Sequence, residues 1–211
     1  MSRRDSGPKL TLGATGSRPP KSASARTPTV VGFYLALAIA GFVWHGVAQG
    51  SNDLWRNGPP RPGMWLLLGP GIGLLFGVGC VRVMRWIEPR YEWMGVLREE
   101  FANIFGRATS REVLWLAAAS AVGEEILFRG AMMDAWGLVP SSLVFALLHL
   151  PPRRELWPWT ASAAILGLSL GGLTLATGNL GAAVAAHFII NALNLAYITG
   201  RPSPVMSYRA S

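Results

Sequence analysis

Residues 113–135 read VLWLAAASAVGEEILFRGAMMDA, an apolar run of transmembrane length that contains Glu124, Glu125 and Arg129. About 20 helical residues cross a hydrocarbon core of about 30 Å, so this run predicts a membrane-spanning helix. An ionisable side chain at the centre of such a helix costs about 2.5 to 3.5 kcal/mol on insertion scales. The three charged residues therefore need a compensating or functional reason.

The composition of the whole chain agrees with a membrane location. Of its 211 residues 51% are hydrophobic and only 14% are charged, whereas a soluble domain has about 25% charged residues. The net charge of +8 comes from basic residues scattered between apolar runs, which argues against a nucleic-acid-binding face. Cys80 is the single cysteine, so the chain has no internal disulfide framework.

Outward from this run, the hydropathy pattern predicts an all-α membrane protein, a bundle of about six transmembrane helices with one interfacial amphipathic helix at 93–105. Helical packing of that amphipathic segment on the bundle is the alternative. The six predicted runs are 30–47, 64–81, 113–135, 138–150, 159–177 and 180–198. The fourth is too short to span alone, so it must begin or end inside the protein.

The flanking segments are predicted from their polarity. Residues 1–29 lack apolar periodicity and predict a disordered basic cytoplasmic tail. The transmembrane domain then covers 30–199, its first run being a retained signal anchor, and residues 200–211 form a second cytoplasmic tail. Thr109 and Glu112 form a predicted capping box that starts the third span.

Basic residues are distributed unevenly between the two predicted faces. With six spans, Lys and Arg concentrate in the two tails and in 82–111, whereas the outer loops hold Arg56 and Arg61. Cytoplasmic segments carry the excess of Lys and Arg, so both termini are predicted to be cytoplasmic. We expect a multi-pass protein of the cell inner membrane.

Two helical faces gather the polar residues of the late spans. Glu125 and Arg129 are four residues apart in the favourable order for an ion pair, so Arg129 is expected to neutralise Glu125 as structural support. In the sixth span His187, Asn191 and Asn194 lie on one stripe that should face the bundle interior.

The depths of the polar residues indicate one site. At about 1.5 Å per residue, Glu124 lies roughly 20 Å from the cytoplasmic face, and His149 and His187 lie roughly 17 and 11 Å from the outer face. These levels overlap near the middle of the bilayer, so Glu124, His149, His187 and Asn191 are expected in one cavity.

Three blocks carry a family resemblance: Glu124-Glu125-x-x-x-Arg129, Phe145-x-x-x-His149 and His187-x-x-x-Asn191. In this order on successive late spans they resemble the CAAX protease and bacteriocin-processing family, the type II CAAX prenyl endopeptidase-like or Abi family of intramembrane proteases. The resemblance covers about 110–199, the protease-like core.

The resemblance implies an intramembrane endopeptidase acting on a membrane-associated, in some branches lipidated, protein or peptide. It implies that Glu124 and His149 activate a water, and that His187 and Asn191 stabilise the oxyanion. A carboxylate, an imidazole and two hydrogen-bond donors suit that chemistry. No cofactor is required in this interpretation; Zn²⁺ held by Glu124, His149 and His187 is the alternative.

Other functions use the same residues. A proton- or ion-handling membrane protein needs buried Glu and His groups, and a catalytically silent partner-binding or immunity protein could keep the same fold. Within either, the polar groups would join helices by hydrogen bonds without catalysis. Phe145 is interpreted as core packing, and Trp44 and His45 as interfacial anchors without a catalytic part.

Overall fold

The computed structural model describes residues 23–56 and 62–200. Within these ranges the regular secondary structure is helical, apart from an isolated bridge between Arg56 and Asn179. The all-α fold class is confirmed. The helices are α1 Ala23–Gln49, α2 Trp65–Ile87, α3 Glu92–Phe105, α4 Ser110–Glu125, α5 Met133–Trp136, α6 Leu138–Leu148, α7 Trp157–Thr177 and α8 Leu180–Gly200, with 3₁₀ turns at Glu88–Arg90 and Arg154–Leu156 and a π-helical segment at Ile126–Met132.

Four helical segments are long and apolar enough to cross a membrane by length and composition, so the chain is an integral membrane protein. They are Thr27–Gln49, Trp65–Arg90, Arg154–Thr177 and Leu180–Gly200. The predicted third and fourth runs are also helical, one interrupted by its charged residues and the other only 11 residues long. Large apolar side chains such as Val47 and Leu67 are more than 80% exposed, as expected for a lipid-facing surface.

The amino-terminal boundary differs from the predicted one. Helix α1 begins at Ala23, so the prediction of a disordered tail through residue 29 is wrong for residues 23–29. The apolar run marks only the depth of the hydrocarbon core, whereas a helix satisfies its own backbone hydrogen bonds and can continue into the interface. Residues 1–22 and 201–211, the rest of the two predicted tails, lie outside the described residues.

Glycines bring the first two helices close to the rest of the bundle. A Cβ at Gly77 would meet the Ala186 carbonyl and the Ile189 side chain, so α2 packs directly on α8. A Cβ at Gly41 would meet the backbone of Leu127 at 2.8 Å, which brings α1 against the π-helical segment. Small residues allow such approach in membrane bundles.

Helix α4 has a capped start and passes into a π-helical segment at its end. The Thr109 side chain accepts a hydrogen bond from the Glu112 backbone amide, and the Glu112 carboxylate accepts one from Thr109, so the predicted capping box is confirmed. The α-helix runs to Glu125 and then widens into the π-helical segment. Such segments inside α-helices are frequent at functional sites.

Helix α3 packs against the end of α8 and the 3₁₀ turn before α7. Its Phe101 ring contacts Trp159 edge to face, with the centroids 5.4 Å apart, whereas Ile104 is 52% exposed. The predicted amphipathic helix is therefore present, and it both packs on the bundle and leaves apolar surface outside.

Candidate functional site

The third span and α8 bring four ionisable groups into one buried cluster, which we call the carboxylate cluster: Glu124, Glu125, Arg129 and His187. Each residue of the cluster is at most 7% exposed. The cluster lies where α4 passes into the π-helical segment and packs against α8. Burying four such groups together is tolerated only when they compensate one another.

Glu125 is the centre of the hydrogen bonding. Its Oε1 accepts a hydrogen bond from Arg129 Nη1 at 2.9 Å and lies 2.7 Å from His187 Nδ1. The predicted ion pair between Glu125 and Arg129 is confirmed. Because a carboxylate only accepts, Nδ1 of His187 carries the proton in this contact.

Arg129 has two further contacts that fix its guanidinium. It donates from Nη2 to the Gly167 carbonyl of α7 at 3.3 Å, and it lies 4.3 Å from the centroid of the Phe145 ring. Arg129 thus joins the third span to α6 and α7, which agrees with its predicted structural role.

Glu124 lies beside this pair in a different environment. Its carboxylate lies close to the Tyr34 side chain of α1, while its Oε2 is buried without a hydrogen-bond partner and lies 3.9 Å from His187 Nε2. Glu125 Oε2 is likewise buried without a partner. An ordered water commonly satisfies buried polar atoms of this kind.

The packing of α1 on α4 places Tyr34. A Cβ at Gly123 would meet the Tyr34 carbonyl oxygen at 2.5 Å, so the glycine before Glu124 lets α1 approach. Tyr34 was not predicted as a site residue. Its apolar surroundings in the sequence carry no signal, since only the tertiary contact with Glu124 distinguishes it.

Asn191 reaches α4 one turn nearer the start of that helix than Glu124. Its Nδ2 donates to the Ser120 hydroxyl at 2.9 Å, and Ser120 in turn donates to the Ala117 carbonyl. The polar stripe of α8 therefore faces the bundle interior as predicted. Ser120 thereby orients Asn191.

His149 lies apart from the carboxylate cluster. It caps α6 and its Nδ1 is 2.7 Å from the Phe145 carbonyl, so Nδ1 donates and Nε2 carries the lone pair. The Phe145 ring is 4.4 Å from the His149 ring and 6.3 Å from the His187 ring, between centroids. The structure gives no direct contact between His149 and Glu124, and Phe145 has the predicted packing role.

The alternative Zn²⁺ site requires a shared position for the ligands Glu124, His149 and His187. Among the described residues no group of three His, Cys, Asp or Glu side chains is arranged to hold a metal ion. The geometry of these three residues therefore does not fit the predicted Zn²⁺ alternative.

His45 was predicted as an interfacial anchor, and this prediction is wrong. The side chain is buried, with Nδ1 3.4 Å from the Asp134 carboxylate of α5. The neighbouring Trp44 contacts Trp136 edge to face. Because α5 packs against the end of α1, His45 lies beside Asp134, an acid that is distant from it in the sequence.

Comparison with known proteins supports the family resemblance. Residues 108–193 match the family model described as type II CAAX prenyl endopeptidase Rce1-like, so the resemblance predicted from the three blocks is confirmed. This segment contains every predicted site residue.

One curated relative is similar over much of the chain. It is the uncharacterized protein YpbD of Bacillus subtilis (strain 168), 32% identical over 128 residues, which cover 59% of this chain and 64% of the relative. The aligned part thus spans less than two thirds of that protein. No solved structure matches the chain significantly.

Proposed function

We propose that this chain is an intramembrane endopeptidase that hydrolyses a peptide bond in a membrane-associated protein or peptide with a water activated by Glu124. The observation that carries the proposal is the buried Glu124 Oε2, which has no hydrogen-bond partner and lies 3.9 Å from His187 Nε2. A carboxylate and an imidazole this close can both hydrogen-bond to one water molecule that lies beside them. The similarity of 108–193 to a prenyl endopeptidase family supports the same activity.

The two carboxylates have different proposed roles. Glu125 Oε1 is occupied by Arg129 and His187, so Glu125 holds the cluster together. Glu124 keeps one carboxylate oxygen for water and acts as the general base. It takes one proton as the water oxygen attacks the substrate carbonyl carbon, and that proton passes to the leaving amine when the carbon–nitrogen bond breaks.

His187 and Asn191 are proposed to stabilise the oxyanion formed in this attack. With both ring nitrogens protonated, His187 would make the carboxylate cluster electrically neutral and could donate from Nε2. Asn191 lies one helical turn away on the same face and carries a second amide donor. Preorganised donors of this kind typically contribute about 10²- to 10³-fold in rate.

His149 is proposed to assist proton transfer through water. Its Nδ1 is engaged with the Phe145 carbonyl, which leaves Nε2 as the acceptor. The side chain is half-buried, so water can reach it from the bundle surface. The proposed mechanism thus uses four catalytic residues, Glu124, His149, His187 and Asn191, and no metal ion.

The substrate is proposed to be lipidated or membrane-inserted. An active site within the bilayer favours substrates that partition into it, and the matching family is described as a CAAX prenyl endopeptidase. Cleavage near a prenylated carboxyl terminus is the first substrate class to test.

The experiment compares purified wild type with Glu124→Ala on a panel of prenylated, acylated and transmembrane peptides, read by mass spectrometry. We expect cleavage of at least one substrate by wild type and none by Glu124→Ala. Glu99→Ala, which removes an exposed glutamate from α3, is the matched control and should cleave normally. Equal cleavage by Glu124→Ala would overturn the proposed base, and proton flux into liposomes without cleavage would favour an ion-handling protein.

We also propose that both termini face the cytoplasm, because basic residues concentrate in 82–111 and such segments stay inside. Reporter domains fused after Ser211 should report an inside location. An outside location would overturn the six-span topology while leaving the cleavage assay unaffected.

A further inference from the structure

A cleft of about 740 Å³ lies at the other end of the polar stripe of α8, away from the carboxylate cluster. The end of α2, the 3₁₀ turn Glu88–Arg90, the start of α3 and the end of α8 form its walls. Its lining includes three arginines, two glutamates and two tyrosines: Arg85, Arg90, Arg98, Glu88, Glu92, Tyr91 and Tyr197.

Two of the arginines are fixed in position by the surrounding helices. Arg85 donates to Asn194 Oδ1 at 2.8 Å, and its guanidinium lies 3.7 Å from the centroid of the Tyr197 ring. Arg98 donates to the Glu88 carboxylate, which also lies 3.6 Å from Arg85. The Glu88 carboxylate is thus shared by two guanidinium groups, and the lining as a whole carries three arginines against the two glutamates Glu88 and Glu92.

Arg90 adds a third guanidinium at the exposed rim. It donates to the Trp86 carbonyl and lies 4.0 Å from the centroid of the Trp86 ring. Within the described parts of the chain no carboxylate lies at ion-pair distance from Arg90. A planar guanidinium held against an aromatic ring keeps its outer donors for an anion, and phosphate fits that bidentate geometry.

The position of the cleft indicates the source of the phosphate. It lies at the end of the apolar segment Trp65–Arg90, where a span leaves the hydrocarbon core. Trp86 and Tyr91 beside it are 65% and 53% exposed, and such aromatic side chains favour the headgroup level of a membrane. Basic pockets between helices at the cytoplasmic level are typical of anionic lipid headgroup sites.

We propose that this cleft binds the phosphate headgroup of an anionic phospholipid. The phosphate would contact Arg90 and Arg98 and bring the start of α3 together with the ends of α2 and α8. This binding site does not depend on the proposed peptidase activity.

The test uses the full-length protein in detergent, with lipid binding followed by native mass spectrometry. Phosphatidylglycerol and phosphatidylcholine of the same acyl chains are compared, and inorganic phosphate is the third probe. We expect wild type to retain phosphatidylglycerol at least tenfold better than phosphatidylcholine. Inorganic phosphate should bind much more weakly than phosphatidylglycerol, because it lacks the acyl chains that reach the exposed aromatic rim.

The matched variants remove the same charge at different places. Arg90→Gln with Arg98→Gln should lose the preference, whereas Arg107→Gln with Arg111→Gln, two exposed arginines outside the cleft, should keep it. Arg90→Gln alone changes only an exposed side chain and should reduce the preference severalfold in a folded protein. Equal losses in both double variants, an unchanged preference in Arg90→Gln, or inorganic phosphate binding as tightly as the lipid would each overturn the proposal.

Discussion

Two ion clusters of this molecule have the same chemistry and opposite environments. In the carboxylate cluster, Arg129 pairs with Glu125 and the two side chains are 1% and 0% exposed. In the segment before α7, Arg153 pairs with Glu100 of α3 and with Glu155, and the three side chains are 47%, 41% and 57% exposed. Both clusters pair a guanidinium with a carboxylate, yet only the first is surrounded by apolar helices.

Burial decides what each cluster can contribute. Water competes for the exposed groups and screens their charges, so such pairs contribute little to stability. In the buried cluster every missing partner leaves a charge without solvation, so each group depends on the others. Glu124 and Glu125 each have a buried carboxylate oxygen without a hydrogen-bond partner. Function is therefore expected at this buried site.

Removal of Arg129 should have the largest effect on the fold. Arg129→Ala breaks the buried pair with Glu125 and leaves the acids of the cluster with one positive charge fewer, and breaking a buried pair typically costs about 3 to 5 kcal/mol. Thermal unfolding of the detergent-solubilised protein should show a large loss of stability. Glu125→Gln combined with Arg129→Gln should recover part of it.

A double-mutant cycle tests whether the two residues act as a pair. Glu125→Gln, Arg129→Gln and the double variant should give losses that are clearly less than additive. Strictly additive losses would contradict the pairing. In that case the buried pair would be coupled no more strongly than an exposed pair, despite the difference in burial.

Local sequence patterns predicted the elements and some of the contacts. The spacing of Glu125 and Arg129 is sufficient for their ion pair, because residues four apart meet on one helix face. The capping box at Thr109 is equally local. The stripe of His187 and Asn191 could be predicted to face inward, since polar groups avoid lipid.

Sequence patterns could not assign the partners across helices. Whether Glu124 or Glu125 meets His187 Nδ1 depends on the rotation of α4 about its axis. The close contact between α4 and α1 at Gly123 sets that rotation. Depth along the helices placed His149 at the level of Glu124 without fixing its direction, and the structure gives the two no direct contact. The contacts of Tyr34 and His45 join segments about 90 residues apart in sequence, which no local pattern records.

A smaller effect is expected at Tyr34, which connects α1 to the buried cluster. Tyr34→Phe removes the hydroxyl group beside Glu124 and keeps the ring. If that hydroxyl orients the base through a hydrogen bond to a charged group, which is worth about 1.5 to 3 kcal/mol, kcat should fall by about tenfold or more. Steady-state cleavage of a validated substrate measures the change.

The control separates orientation of the base from general damage to α1. Phe42→Leu changes an exposed ring about two turns further along α1 and should leave kcat and thermal stability near wild type. A Tyr34→Phe variant with unchanged kcat would show that Glu124 needs no partner from α1. The groups that orient Glu124 would then all lie within the segment 108–193.

The smallest effect is expected at the exposed cluster. Arg153, Glu100 and Glu155 are each more than 40% exposed, so water screens their charges and the pairs contribute little to stability. Arg153→Gln should therefore change the unfolding temperature at pH 7 by no more than the error of the measurement, in low or high salt. A loss approaching that of Arg129→Ala would mean that the contact of Arg153 with Glu100, which holds α3 to the bundle, is shielded from water when the protein sits in a membrane surface.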